Sequence, residues 1–221
     1  IKPDHYIFRM LYSQGIQLSD IGILRKSDVQ SEVNVRKNWH LFADNYYLFR
    51  GTPSRMWLDM VFADVFGFDV VLSSSTADHY YDVINEKLKT DAFRPRTLFD
   101  RFKIELLSTT ESPLDDLRHH QTILESGWNG QVVSAFRPDP VVDPEFEGFS
   151  DNVVKLGEMT GEDISHYNGY LKALMARRAY FKKMGVTATD HGHPTPYTAD
   201  LPREESETLY QKILSDDFTT D

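Results

Sequence analysis

The sequence predicts an α/β fold laid out as a (β/α) barrel, on two observations. Three short apolar runs each end in a polar cluster: Ile104-Glu-Leu-Leu-Ser into Thr109-Thr-Glu-Ser, Val132-Val-Ser-Ala-Phe into Arg137-Pro-Asp, and Val186-Thr-Ala-Thr into Asp190-His-Gly-His. A helix-like stretch separates each run from the next. In such a barrel the C-terminal ends of parallel strands carry the chemistry. An arginine, an aspartate and a histidine are therefore expected at the mouth of one sheet.

Each element has a local justification. Residues 1 to about 102 read as mainly helical, with aromatic anchors at Trp39, Phe42, Tyr46, Tyr47, Phe49, Trp57, Phe62 and Phe66 expected in a core. Thr76 is placed to cap a helix from Ala77 toward Leu88, with Asp78 favourable to its dipole. Arg50-Gly-Thr-Pro-Ser reads as a turn between helices, and this half reads as a helical insertion covering a barrel. From residue 103 onward the pattern is a strand-helix repeat within one continuous domain. Ser112-Pro-Leu-Asp-Asp carries the signals of a helix start, a capping serine followed by proline and acids. Gly127-Trp-Asn-Gly ends that helix, so residues 104 to 136 form a βαβ unit. A proline-rich loop follows, then a helix from about Glu162 to Met184 with Ile164, Tyr167, Leu171, Leu174 and Phe181 on one side. Gly185 is its natural stop. A third strand from Gly185 to Thr189 leads to a last helix beginning near Pro202.

Composition narrows the function. The 221 residues are 40% hydrophobic and 26% charged, ordinary for a globular protein, and no apolar run approaches the roughly 20 residues a membrane span needs. The formal net charge of -10 disfavours nonspecific binding to nucleic acid or anionic lipid. With no cysteine, the chain has no disulfide or thiolate chemistry, and any metal must be held by nitrogen and oxygen. The start shows no secretory apolar region, so a cytoplasmic location is expected. Ile1-Lys-Pro-Asp-His-Tyr and the final Asp216-Asp-Phe-Thr-Thr-Asp read as interior sequence of a longer protein. G-x-G-x-x-G, G-x-x-x-x-G-K-[ST] and G-x-S-x-G do not occur, which weakens nucleotide-binding and serine hydrolase readings.

Several residues are candidates for chemistry. Pro138 forces Arg137 away from helical backbone at a strand end. Its guanidinium suits a carboxylate or phosphate, or a salt bridge to Asp139. Asp190-His191-Gly192-His193 sets carboxylate and imidazole side by side, with His191 the favoured functional residue and an H-x-H alone a weak metal signal. His5 and Arg9 are four apart on a helical face near Asp4 and Tyr6. His119 and His120 read as surface residues. Glu111 is placed like a barrel carboxylate, or serves the dipole of the next helix.

Taken in order, Asp4-His-Tyr with Arg9, Leu48-Phe-Arg-Gly-Thr-Pro-Ser54, Phe93-Arg-Pro-Arg96 with Leu98-Phe99, Thr109-Thr-Glu111, Phe136-Arg-Pro-Asp139 and Ala188-Thr-Asp-His-Gly192 resemble the uronate (glucuronate) isomerase family of the amidohydrolase superfamily. The resemblance covers essentially the whole chain. It implies part of a distorted TIM-type (β/α)8 barrel with a helical insertion. It also implies isomerisation of D-glucuronate to D-fructuronate and of D-galacturonate to D-tagaturonate. The family's first-strand H-x-H and its closing aspartate and arginine are not in this chain, which thus resembles the middle of the family sequence. Carried over by position, His5, Tyr6 and Asp190 fall to catalysis, and Arg137, Arg9 and Arg50 to substrate binding. His191 falls to a divalent metal, expected to be Zn²⁺, whose other ligands lie elsewhere. A small-molecule sugar acid is the expected partner, with no nucleic acid or membrane, and a homo-oligomer is expected. Two alternatives stay open, a metal-dependent hydrolase of the same superfamily and a truncated noncatalytic homologue.

Overall fold

The computed structural model describes residues 5–21, 34–192, 197–215 and 217. It divides into two units, Ile1–Leu98 and Phe99–Asp221. No helix among the described residues is long and apolar enough to cross a membrane.

The first unit is helical. Its helices are α1 (His5–Ser13), α2 (Val35–Asp44), α3 (Pro53–Met60) and α4 (Ala77–Leu88). Asn34 caps α2 by accepting from the Lys37 amide, and Thr52 caps α3 by accepting from Arg55, with Pro53 in the first turn. Trp39, Phe42, Tyr46, Phe49 and Phe62 are buried together as their spacing predicts. Their rings meet edge-on or tilted at 5.4 to 6.3 Å. Tyr47 and Trp57 depart from the expectation and are exposed, because each lies on the face of its helical turn opposite that cluster. Helix α4 spans the predicted residues, but Thr76 does not cap it. The hydroxyl instead donates to the Val71 carbonyl at 3.0 Å and accepts from the Ser73 amide at 2.9 Å, closing the preceding turn on itself.

The division between units falls inside α5 (Pro95–Arg101). The second unit then runs β1 (Leu106–Glu111), α6 (Arg118–Glu125), β2 (Gln131–Phe136), a short α7 (Asp139–Val142), α8 (Phe149–Thr160), α9 (Tyr167–Lys183) and α10 (Arg203–Leu214). The strands pair in parallel, Leu106 against Gln131 through Glu111 against Phe136. The α/β class therefore stands, and among the described residues the sheet has two strands.

The expected third strand is a single parallel bridge, Phe136 to Thr189. Phe136 donates to the Ala188 carbonyl and accepts from the Asp190 amide, both at 3.0 Å. Upstream, the Val186 amide is already used in closing α9 on the Phe181 carbonyl at 3.1 Å, and its side chain packs with Leu117, Phe136 and Phe181. The segment can pair only after it has left that cluster.

Tertiary contacts also move two helix starts. The segment after Ser112 is a loop, and α6 begins five residues later than its capping signals predict. Asp115 and Asp116 turn their side chains onto the Leu117 and Arg118 amides at 2.7 and 3.1 Å. Leu117 sits at φ 54°, a left-handed conformation that costs on the order of 1 kcal/mol for a side chain of this kind, offset here by complete burial. From α9, Arg177 donates to the carbonyls of Pro113 and Asp115 at 2.6 and 2.8 Å, and the Tyr180 hydroxyl donates to Asp116 at 2.6 Å. These carbonyls are thus held by another element and are lost to a local helix.

Helix α9 starts at Tyr167 rather than Glu162, because Gly161, at φ 71°, ends α8 and Asp163 folds its carboxylate onto Ser165. The loop expected between residues 137 and 162 contains α8, whose Phe149, Val153 and Leu156 carry the helical period and form a core with Val141, Tyr170, Ala173 and Tyr210. Close approach at Gly169 seats α9 against this loop: a Cβ there would lie 1.7 Å from the Asp163 carbonyl oxygen. Gly169→Ala is expected to lower unfolding stability by about 1–3 kcal/mol, or to prevent docking of α9 outright, as read by urea denaturation.

Candidate functional site

The ends of β1 and β2 and the bridge at Thr189 come together where the sequence predicts three strand ends. Arg137, the first residue past β2, donates its amide to the Glu111 carbonyl at 3.0 Å, so β2 stays aligned with the end of β1. Phe136 lies on the helix-covered side with Phe181, and alternation turns Arg137 to the opposite side. Its Nε donates to Asp139 Oδ2 at 2.6 Å and its Nη1 lies 3.4 Å from Asp190 Oδ2. The other Asp139 oxygen accepts the Gly192 amide at 2.8 Å. A Cβ at Gly192 would stand 3.3 Å from that oxygen and 3.5 Å from Arg137 Nη2, so a side chain there would press on this pair. A cavity of about 380 Å³ opens beside these groups, bounded by Glu111, Arg137, Asp139, Phe146 and Gly192. A larger hollow of about 570 Å³ between α9 and residues 185–189 is lined by no carboxylate or imidazole, and hence by no side chain suited to carry a proton near neutral pH.

Electrostatics at this site centre on Asp139, only 8% exposed. Burial by itself would raise its carboxyl, but the Gly192 amide, the Arg137 guanidinium and the nearby His191 imidazole together hold it below the usual aspartate value. Arg137 is in turn held more firmly protonated, chiefly by its bond to Asp139 and then by the charge of Asp190. Both readings of Arg137 thus apply at once. It is salt-bridged to Asp139 through Nε, and 46% of its side chain remains open to a ligand.

The other candidates divide between the units. Asp190 and His191 follow the bridge to Phe136, Asp190 half-buried and His191 exposed. His5, Tyr6 and Arg9 lie exposed on α1, the first two with ring centroids 4.2 Å apart, and Arg50 is exposed in the turn before α3. Asp4 and His193 lie outside the described residues. Among the described residues no three His, Asp or Glu side chains are grouped to hold a metal ion. Asp139 and Asp190 already face Arg137, so these residues by themselves do not fit a metal centre.

Two expectations are overturned. The Glu111 side chain neither opens into the site nor serves a helix dipole. It turns to the helix-covered face, where it accepts from Ser134 and from Thr109 Oγ1, the latter at 2.8 Å. His120 is no surface residue, for its Nε2 lies 2.8 Å from Thr109 Oγ1 and 3.7 Å from Glu111, while His119 is exposed. Consecutive helical residues point about 100° apart, so a His-His pair on a helix packed against a sheet turns one ring inward. That was the available signal.

Parallel strands covered by helices, with their charged groups gathered at the carboxyl ends, define an α/β protein of the class that builds its sites at strand ends. The family model for glucuronate isomerase matches residues 1–221, and the chain belongs to that family. It is 61% identical over 213 residues to a uronate isomerase of Rhizorhabdus wittichii, covering 96% of this chain and 44% of that protein. It is 55% identical to one from Sphingopyxis alaskensis, covering 99% and 46%. The crystal structure of glucuronate isomerase from Caulobacter crescentus superposes with a TM-score of 0.92 at 48% identity, over all of this chain and 46% of that one. Uronate isomerase from Thermotoga maritima gives 0.83 at 26% identity. The chain spans less than half the length of these relatives.

Because the folded-state pKa of Asp139 is depressed, its contribution to stability is complete above the unfolded value near 3.8 and disappears as pH falls through the lower folded value. Asp139→Asn should therefore cost most stability above about pH 5. The difference from the unsubstituted protein should shrink steadily below about pH 4 in acid-denaturation curves.

Proposed function

We propose that this chain supplies part of the active site of an aldose-ketose isomerase that interconverts hexuronates, D-glucuronate with D-fructuronate and D-galacturonate with D-tagaturonate. The observation behind the proposal is Arg137, held by its Nε and with its Nη1–Nη2 edge engaged only loosely by Asp190, at the end of a parallel strand in a chain of the glucuronate isomerase family. Asp139 is the positioning residue. By occupying Nε it turns the remaining fork of donors toward the cavity, where a carboxylate can accept two parallel hydrogen bonds. Asp190, at 3.4 Å from Nη1, makes the looser contact that such a carboxylate would displace.

The reaction moves a proton from C2 to C1 through an enediol and needs a base, an acid and positive charge near the oxygens. Asp190 is assigned to proton transfer, and family resemblance assigns the same work to His5 and Tyr6. Arg9 and Arg50 are assigned to the sugar. A bound divalent metal would supply Lewis-acid stabilisation of the developing oxyanion. His191 is the residue of this chain proposed to contribute to it, and further donors must come from beyond the described residues.

In the enzyme that carries this chain, Arg137→Ala should raise KM for D-glucuronate by about 10- to 100-fold, and Arg137→Lys should recover part of the loss, because a lysine supplies charge without the planar fork. An unchanged KM would remove the carboxylate assignment. Parallel assays of uronate isomerisation and lactone hydrolysis on one sample should show only the first.

A further inference from the structure

Beneath the strand ends, on the face away from Arg137, lies a half-buried polar chain that the proposed reaction does not use. Thr109 Oγ1 has one hydrogen and stands 2.8 Å from both Glu111 Oε2 and His120 Nε2, and 3.3 Å from the Val133 carbonyl. An ionised carboxylate only accepts, so the threonine hydrogen goes to Glu111 and the imidazole must carry its own hydrogen on Nε2, donating to Thr109. Ser134 donates to the same Glu111 oxygen from β2. The order is therefore His120 to Thr109 to Glu111, with Ser134 closing from the neighbouring strand. His120 Nδ1 is buried without a hydrogen-bond partner among the described residues, so Nε2 is the ring's one working contact.

Glu111 is also the last residue of β1 and offers its carbonyl to the Arg137 amide at 3.0 Å. One residue is thus held twice, by Thr109 and Ser134 through its carboxylate and by Arg137 through its backbone, with His120 behind Thr109. We propose that His120, Thr109 and Glu111 form a positioning relay that sets the direction of Arg137 toward a carboxylate-bearing substrate. The proposal rests on the assignment of Arg137 to the uronate carboxylate. Removing the Thr109 hydroxyl leaves the half-buried Glu111 carboxylate with Ser134 as its remaining donor, and the end of β1 shifts as the carboxylate turns toward water. A shift of about 1 Å at Arg137 is enough to spoil a two-point contact with a planar anion. His120 and Thr109 touch no substrate and act only through Glu111.

The test compares kinetics with D-glucuronate in the full enzyme for Thr109→Val, Thr109→Ser and Arg137→Ala. Valine keeps the shape of threonine and removes the hydroxyl, whereas serine keeps the hydroxyl. Thr109→Val should raise KM by about tenfold with kcat changed less than about twofold, and Thr109→Ser should restore KM. Should Thr109→Val fail to fold, His120→Gln and His120→Leu carry the same contrast, since glutamine keeps an N–H for Thr109 and leucine does not. If Arg137→Ala raises KM while the Thr109 or His120 pair changes only thermal stability, the relay is refuted and the Arg137 assignment survives. An unchanged KM in Arg137→Ala overturns both.

Discussion

Parallel pairing of β1 with β2, in the register that sets Glu111 opposite Phe136, is the constraint on which the site depends. The register makes both strands end at the same level, so the residues past each strand emerge at one rim. It also assigns faces. Thr109, Glu111, Ser134 and Phe136 turn toward the helices, and Arg137, one residue later, turns away from them. A slip of one residue would send Arg137 into the Phe136–Phe181 cluster and put Phe136 in the cavity. The bridge at Thr189 then brings Asp190 and Gly192 to the same rim through two backbone hydrogen bonds of 3.0 Å.

Helix α9 supports this arrangement from behind. Its Phe181 packs edge-on against Phe136 at 5.1 Å, its Arg177 holds two carbonyls of the loop after β1, and Gly185 at φ 88° turns the chain toward the bridge. Burial pulls the Arg177 guanidinium below its ordinary value, while Tyr180 and the charges of Asp115 and Asp116 act in the opposite direction. A buried cation whose N–H groups are spent on carbonyls serves as a brace, since breaking it strands both a charge and the carbonyls it satisfied.

The two faces of the sheet carry different kinds of polar group. At the rim, Arg137 and Asp190 remain partly open and can exchange partners with a ligand, while the buried Asp139 holds Arg137 in place. On the covered face, His120, Thr109, Glu111 and Ser134 are satisfied mainly by one another. Polar groups of the first kind can recognise a substrate, whereas those of the second hold a backbone in place.

The positions of β1 and β2, the Gly185 stop, the span of α4 and the placing of Arg137 at the end of β2 were legible in the sequence, because alternation, turn chemistry and proline's effect on its neighbour are local. Family membership was legible too, from motifs spread over the whole chain. The start of α6, the shortening of the third strand and the inward turn of Glu111 and His120 were not. Each depends on a group distant in sequence: Arg177 and Tyr180 taking the carbonyls of residues 113–116, Val186 drawn to Phe181, and Ser134 and Thr109 binding Glu111 from two strands. Local propensity states which residues favour an element or a strand end. Only tertiary packing decides which of their hydrogen-bonding groups are left to form that element, since a carbonyl or carboxylate already satisfied from elsewhere is lost to the local pattern.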